Sequence, residues 1–157
     1  MNDALTMVSL GDGYRALVIG ASGALGTAFC GQLKQDPRCA GVRALGRHTI
    51  PELDLERPET IARAAIELAA EAPYQLILHA AGLLHRDRIK PEKSLSTIEP
   101  QALQAVFHVN ALGPALVLRH FLPLLEPRGA MAMLSAKVGS IGDNRLAGWY
   151  AEARSDA

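Results

Sequence analysis

No apolar run in this 157-residue chain is long enough to cross a bilayer without a polar break. The longest, around Ala115 to Leu125, is interrupted by Arg119 and His120, which makes it unsuitable as a membrane span. Net charge is missing as well: 16 basic residues balance 16 acidic ones. No global field therefore holds nucleic acid or an anionic membrane, and the expected partner is a small molecule. Cysteine is scarce. Cys30 and Cys39 stand in no Cys-x-x-Cys spacing, which fits core packing in a reducing cytoplasm. The start of the chain, with Asn2 and Asp3, lacks the basic segment and apolar stretch of a signal peptide, so residues 1–13 are expected to form a flexible arm. No histidine pair has helical metal spacing and no Cys/His cluster forms, so no metal site is expected. Internal repeats are absent too.

What is present is a chain 49% hydrophobic and 20% charged, the composition of one ordinary globular domain. Tyr14 to Gly20 reads YRALVIG, an apolar run ending in glycine that suits a buried parallel strand. The period then changes. Ala24 to Gln35 places Leu25, Ala28, Phe29 and Leu33 on one helical face before Asp36-Pro37 ends it. Val42 to Leu45 predicts a second strand, Leu53 to Leu55 a short third, and Pro58 to Ala72 a helix with proline in its first turn. Tyr74 to Ala80 predicts a fourth strand, followed by a polar loop, a long helix from Pro100 to Leu125, and a fifth strand at Ala130 to Ser135. Alternation of this kind specifies an α/β fold: a Rossmann-like, doubly wound parallel sheet of about five strands with helices on both faces. Ligands bind such sheets at the carboxyl ends of the strands. The stretch after Ala136 has no following strand, and the sheet is expected to be incomplete at its C-terminal edge, residues 14–157 forming one domain.

The segment GASGALG sets Gly20, Gly23 and Gly26 three apart between the first strand and first helix. A pyrophosphate can there approach bare backbone and a helix N-terminus, with Ser22 and Leu25 in the same turn. A Walker phosphate loop is disfavoured, since Thr27 follows Gly26 and no lysine stands at the helix start. After the second strand, a carboxylate would select NAD. The chain instead reads Gly46, Arg47, His48, a cation that favours NADP, with NAD the alternative; the plainer reading of Arg47 is a solvated loop residue. Pro114 lies one helical turn after Asn110 and has no N–H for its carbonyl, so the long helix should kink there.

In combination these motifs resemble the short-chain dehydrogenase/reductase family. His79-Ala80-Ala81-Gly82 is similar to the family's Asn-Asn-Ala-Gly, Asp54-Leu55 to its adenine-contacting pair, and Asn110 to its mid-helix asparagine. The glycine spacing, and VGSIGDN before GWY, look like the branch of small carbonyl reductases and C-factor-like proteins. The resemblance covers about Arg15 to Tyr150. It implies an NADP cofactor touched by Gly20, Ser22, Gly23, Leu25, Gly26, Arg47, Asp54, Leu55, Ala80, Ala81, Gly82 and Asn110. A carbonyl or alcohol substrate follows, as does a homo-oligomer using the long helix. Asn110 would hold a proton-relay water through its carbonyl. Ser135 and Ser140 are both candidates for the active serine, and Ser140 is preferred for its distance to position 152; Ser135 ends the strand.

The resemblance then breaks. The branch reads Trp-Tyr-x-Tyr-x-x-x-Lys, whereas GWYAEARSDA puts Glu152 at the acid/base tyrosine and Asp156 at the lysine. Two carboxylates would oppose formation of a phenolate. Tyr150 and Arg154, four apart on one helical face, are the substitute pair, although arginine does not reproduce a lysine's geometry. The chain is thus expected to be an impaired oxidoreductase, or else a non-catalytic nucleotide-binding or interaction protein of the same origin. A truncated or frameshifted reductase is a third reading.

Overall fold

The computed structural model describes residues 8–86 and 89–140. Its centre is the apolar YRALVI run, which forms strand β1 (Tyr14–Ile19) with Ala16, Leu17, Val18 and Ile19 fully buried. Burial on both faces explains why this strand reads as a continuous apolar run rather than an alternation. Three further strands lie parallel to it: β2 (Cys39–Leu45), β3 (Tyr74–His79) and β4 (Leu125–Met133), in the order β2-β1-β3-β4. Successive β1 side chains enter opposite layers. Tyr14, Ala16 and Val18 pack with Cys30 and Leu33 of helix α1 (Ala24–Gln35). Leu17 and Ile19 pack with Ile61, Ala64 and Leu68 of helix α2 (Pro58–Leu68) and with Val106, Val117 and Phe121. Helices on both faces of a parallel sheet give the doubly wound arrangement the sequence predicts. The chain runs outward from β1 to β2, then returns to β3 on the other side. That reversal opens a crevice between the carboxyl ends of β1 and β3.

The sheet has four strands among the described residues, not five. Leu53 and Leu55 are buried as expected, but Leu53–Leu55 is not a strand. Its backbone is engaged elsewhere: the Asp54 N–H donates to Thr60 Oγ1 at 2.9 Å, and the Asp54 carbonyl accepts from the Arg57 N–H at 3.0 Å. A turn therefore competes successfully with a ladder against β2. β4 begins five residues before the expected start. It carries Pro127 through an irregular register in which Tyr74 faces Leu125 but Leu76 faces Ala130, and proline is tolerated where a strand is bulged or on an edge.

The long helix is also subdivided. Helix α3 (Pro100–Phe107) passes through a π turn at His108–Leu112 into helix α4 (Gly113–Phe121). The Gly113 N–H reaches back to the His108 carbonyl, so the irregularity that the sequence predicts as a kink takes the form of a widened π turn. Pro100–Leu124 is in fact long and apolar enough to cross a membrane, with a mean hydropathy of 1.2 in its most apolar window. Its Val106, Val109, Val117 and Phe121 are instead buried against the sheet. At the other end of the chain, Val8–Leu10 forms a short 3-10 turn whose Leu10 packs on the α1 layer.

Candidate functional site

The glycine turn is built by close packing. Gly20 ends β1 at φ +82, and a Cβ there would come within 2.6 Å of the Ala81 backbone nitrogen. Both the left-handed backbone and the contact require glycine. Gly26 is equally constrained, since a Cβ would stand 2.1 Å from the Gly20 carbonyl oxygen. The turn is locked by the Gly20 and Ala21 N–H groups, which donate to the Leu45 carbonyl at 2.9 and 3.1 Å. Gly23 then caps α1 with no side-chain hydrogen bond. The helix thus offers its first N–H groups and its positive dipole end to whatever anion lies in front of them.

In front of them is a cleft of about 300 Å³ that runs from Gly20, Ser22 and Gly23 to Arg47, Asp54 and Leu55. Arg47 is exposed, lines this cleft and, among the described residues, joins no ion pair. Asp54 is half-buried. Its two carboxylate oxygens accept from the Glu56 N–H at 3.0 Å and from Arg57 Nε at 3.4 Å, so it shapes the turn it stands in as well as the wall of the cleft. Leu55 is buried against Gly113, where a Cβ would meet the Leu55 Cβ at 3.0 Å. A pair that sequence reasoning overlooks completes this end: Arg86 donates to both oxygens of Glu56, at 2.5 and 2.8 Å, and both residues line the cleft. That bidentate contact and the nearby Arg47 hold the Glu56 carboxyl below its ordinary range.

Ala80, Ala81 and Gly82 lie between this cleft and a second cavity of about 240 Å³, which Leu25, Asn110, Pro114 and Ser135 also line. Asn110 fixes the loop here. Its Oδ1 accepts from the Leu83 N–H at 2.7 Å and its Nδ2 donates to the Leu83 carbonyl at 3.0 Å. The side chain thus fastens the loop after β3 to the π turn, in addition to anything its own carbonyl does. Ser135 reaches the second cavity, whereas Ser140, the preferred serine, is exposed after the Lys137–Gly139 turn and its N–H donates to the Lys137 carbonyl at 3.1 Å. Tyr150 and Arg154, with Glu152 and Asp156, lie outside the described residues.

His79, where the resemblance has asparagine, is 1% exposed, and neither ring nitrogen has a hydrogen-bond partner. Burial pushes its pKa down to about 4, so the ring is neutral at physiological pH. Among the described residues no group of histidines, cysteines and carboxylates forms a metal site.

Comparison with known proteins finds this geometry in solved dehydrogenase structures. A short-chain dehydrogenase/reductase from Burkholderia multivorans with bound NADP superimposes with a TM-score of 0.78 at 21% identity, over 92% of this chain and 68% of that one. A short chain dehydrogenase from Escherichia coli CFT073 gives a TM-score of 0.78 at 25% identity, over 97% and 72%. In sequence, the 1-hydroxy-2-glutathionyl-2-methyl-3-butene dehydrogenase of Rhodococcus sp. strain AD45 is 24% identical over 112 residues, 71% of this chain. The chain spans about half the length of that curated relative, 47%. No family model matches. The chain resembles the short-chain dehydrogenase/reductase family in both fold and sequence.

Proposed function

We propose that the chain is a short-chain dehydrogenase/reductase scaffold that binds NADP(H) in preference to NAD(H), and that this copy is impaired in catalysis. The observation that carries the reading is the glycine turn, which feeds the uncapped α1 N-terminus into a cleft with Arg47 on its wall. The turn and helix end would hold the pyrophosphate, and Arg47 the 2′-phosphate. Asp54 and Leu55 border the adenine end, while Ala80 to Gly82, with Asn110 behind them, wall the passage to the second cavity. When bound, the nicotinamide would supply hydride exchange with a small carbonyl or alcohol substrate. A proton donor and acceptor must come from the protein. Glu152 and Asp156 stand where the resemblance implies tyrosine and lysine, and two carboxylates neither lower a phenol pKa nor replace it. Glu152 and Asp156 also favour a second reading, a non-catalytic nucleotide-binding or interaction protein. Phe107, Leu118 and Leu122, exposed along the long helix, support a homo-oligomer through that face, and the sparse cysteines support a cytoplasmic setting.

Fluorescence titration tests the cofactor assignment. NADPH is expected to bind at least about tenfold more tightly than NADH, and Arg47→Ala to abolish the difference. Equal affinities, or a preference that survives Arg47→Ala, would remove Arg47 from this role. Binding without turnover would favour the non-catalytic reading.

A further inference from the structure

The glycine turn and Arg47 are tied to each other through the end of β2. The Leu45 carbonyl accepts the Gly20 and Ala21 N–H groups of the turn at 2.9 and 3.1 Å, and Arg47 follows two residues later. Backbone therefore sets the span from the turn to the start of the loop that carries Arg47. Arg47 itself is exposed, and a guanidinium fork recognises a phosphate better the less its root moves. The loop is closed at its base, where the Leu53 N–H donates to the Gly46 carbonyl at 3.0 Å. Its interior is gathered by one hydroxyl. Thr49 Oγ1 accepts from the Gly46 N–H at 2.9 Å, and its proton faces the Gly46 and Pro51 carbonyls at 2.9 and 2.7 Å. The Thr49 N–H adds a longer bond to the Gly46 carbonyl at 3.3 Å. On the outer side, Arg43 Nη2 stands 3.4 Å from the Ile50 carbonyl, too far for a strong hydrogen bond. The short contacts inside the loop are thus those of Thr49, which is half-buried and does not line the cleft.

We infer that Thr49 is a specificity-determining positioning residue: its hydroxyl fixes loop 46–53 so that Arg47 is held ready for a 2′-phosphate, and it thereby sets how strongly the cleft favours a 2′-phosphorylated nucleotide. This rests on the assignment of the cleft to NADP(H). A loop that adopts the binding geometry only part of the time weakens its ligand by that fraction. Removing the hydroxyl takes this partner from the Gly46 N–H and the Pro51 carbonyl, while the tie from Leu53 at the base remains. A 2′-phosphate is nearly a dianion and depends on Arg47, so it registers the loosened loop. A 2′-hydroxyl makes no such demand. The pyrophosphate is held by the glycine turn, whose bonds run to Leu45 and not to Thr49. The effect of Thr49 is therefore confined to one phosphate of the cofactor and passes through Arg47.

The test uses two half-cofactors that differ by a single phosphate, adenosine 2′,5′-bisphosphate and adenosine 5′-monophosphate, titrated calorimetrically against the full chain. Thr49→Val keeps the branched shape and deletes the hydroxyl. It is expected to weaken the bisphosphate about three- to tenfold, as for a loop in the binding geometry about a third to a tenth of the time, and to leave the monophosphate within about twofold. Thr49→Ser restores the hydroxyl and should bind both probes within about twofold of the unaltered chain. In an Arg47→Ala background, Thr49→Val should cost the bisphosphate nothing further, because the residue through which it acts is gone. Thr49→Ala repeats the deletion without the branched methyl groups, and monophosphate binding by each variant certifies an intact cleft. Equal weakening of both probes by Thr49→Val would make the hydroxyl merely structural and overturns the inference while the cofactor assignment stands. Unchanged affinities overturn it in the same way, as does a selective loss that persists in the Arg47→Ala background. If the unaltered chain binds the bisphosphate no better than the monophosphate, the cofactor assignment itself fails and takes the inference with it.

Discussion

His79 shows at the scale of one residue how burial of a titratable ring makes the fold sensitive to pH. Its ring sits at the carboxyl end of β3 with both nitrogens buried and unpartnered, so the neutral form is the only one the site tolerates. The ordinary histidine value is 6.5 and the folded value about 4. A folded value below the unfolded one means that the unfolded chain binds the proton first. The stability contributed by neutral His79 is therefore complete above about pH 7 and is lost as pH falls from about 6.5 towards 4, on the order of 2 kcal/mol by pH 5. Urea unfolding at pH 8 and pH 5 measures this, and His79→Phe, which keeps a ring and removes the titration, should flatten the dependence in that interval. An identical pH dependence in His79→Phe would assign the acid sensitivity to other groups. The place of Arg47 on the cleft wall, by contrast, is legible in the sequence, because it depends only on distance from the end of one strand. The pairing of Glu56 with Arg86 is not, since they are 30 positions apart and meet only when the crossover through α2 brings their loops to the same edge of the sheet.

Among the elements, the π turn at His108–Leu112 connects the long helix to the cleft. Pro114 has no N–H to continue an α-helical ladder, and the Gly113 N–H bonds to the His108 carbonyl instead. The turn presents the Asn110 side chain to both polar groups of the Leu83 backbone. Leu83 is itself 8% exposed, so water is a poor replacement for those two bonds. Asn110→Ala is expected to destabilise the fold by about 2–3 kcal/mol and to weaken cofactor binding, because Ala80 to Gly82 immediately precede the released residue. Asn110→Asp keeps the acceptor but loses the donor to the Leu83 carbonyl, and should also destabilise. Chemical denaturation of the three proteins checks the order, and a fully stable Asn110→Ala would mean that the loop is held by its apolar contacts alone. Proline's missing donor made this disturbance legible in the sequence, but whether it appears as a kink or a widened turn depends on tertiary contacts. The same limit applies to Leu53–Leu55. Its alternating apolar residues predict a strand and do reach the core, yet Asp54 and Thr60 take the backbone groups that a ladder would need.

For the molecule as a whole, the proposed function assigns binding and turnover to different parts of the chain. The cleft is assembled from the carboxyl ends of β1, β2 and β3 and the start of α1, on a sheet whose central strands β1 and β3 are buried on both faces. The expected proton-transfer groups, Tyr150 and Arg154 or the carboxylates Glu152 and Asp156 beside them, are known from sequence alone. The chain saturated with NADPH is therefore expected to reduce carbonyl compounds at most slowly. Loss of positioned general acid catalysis costs about a hundredfold to ten-thousandfold, and a carboxylate in place of the lysine removes the cation that would lower a phenol's pKa. If Tyr150 and Arg154 act as a shifted pair, NADPH oxidation will be measurable, abolished by Tyr150→Phe and sharply reduced by Arg154→Ala, with the NADPH dissociation constant unchanged in both. Glu152→Tyr with Asp156→Lys tests the opposite account, in which a sound cofactor site waits only for its acid and base. A gain of about a hundredfold or more in that double variant, with unaltered NADPH affinity, would place the defect in those two side chains. Robust turnover by the unaltered chain that survives Tyr150→Phe would refute both accounts, and would direct the search for a proton donor to the second cavity beside Ser135 and Asn110.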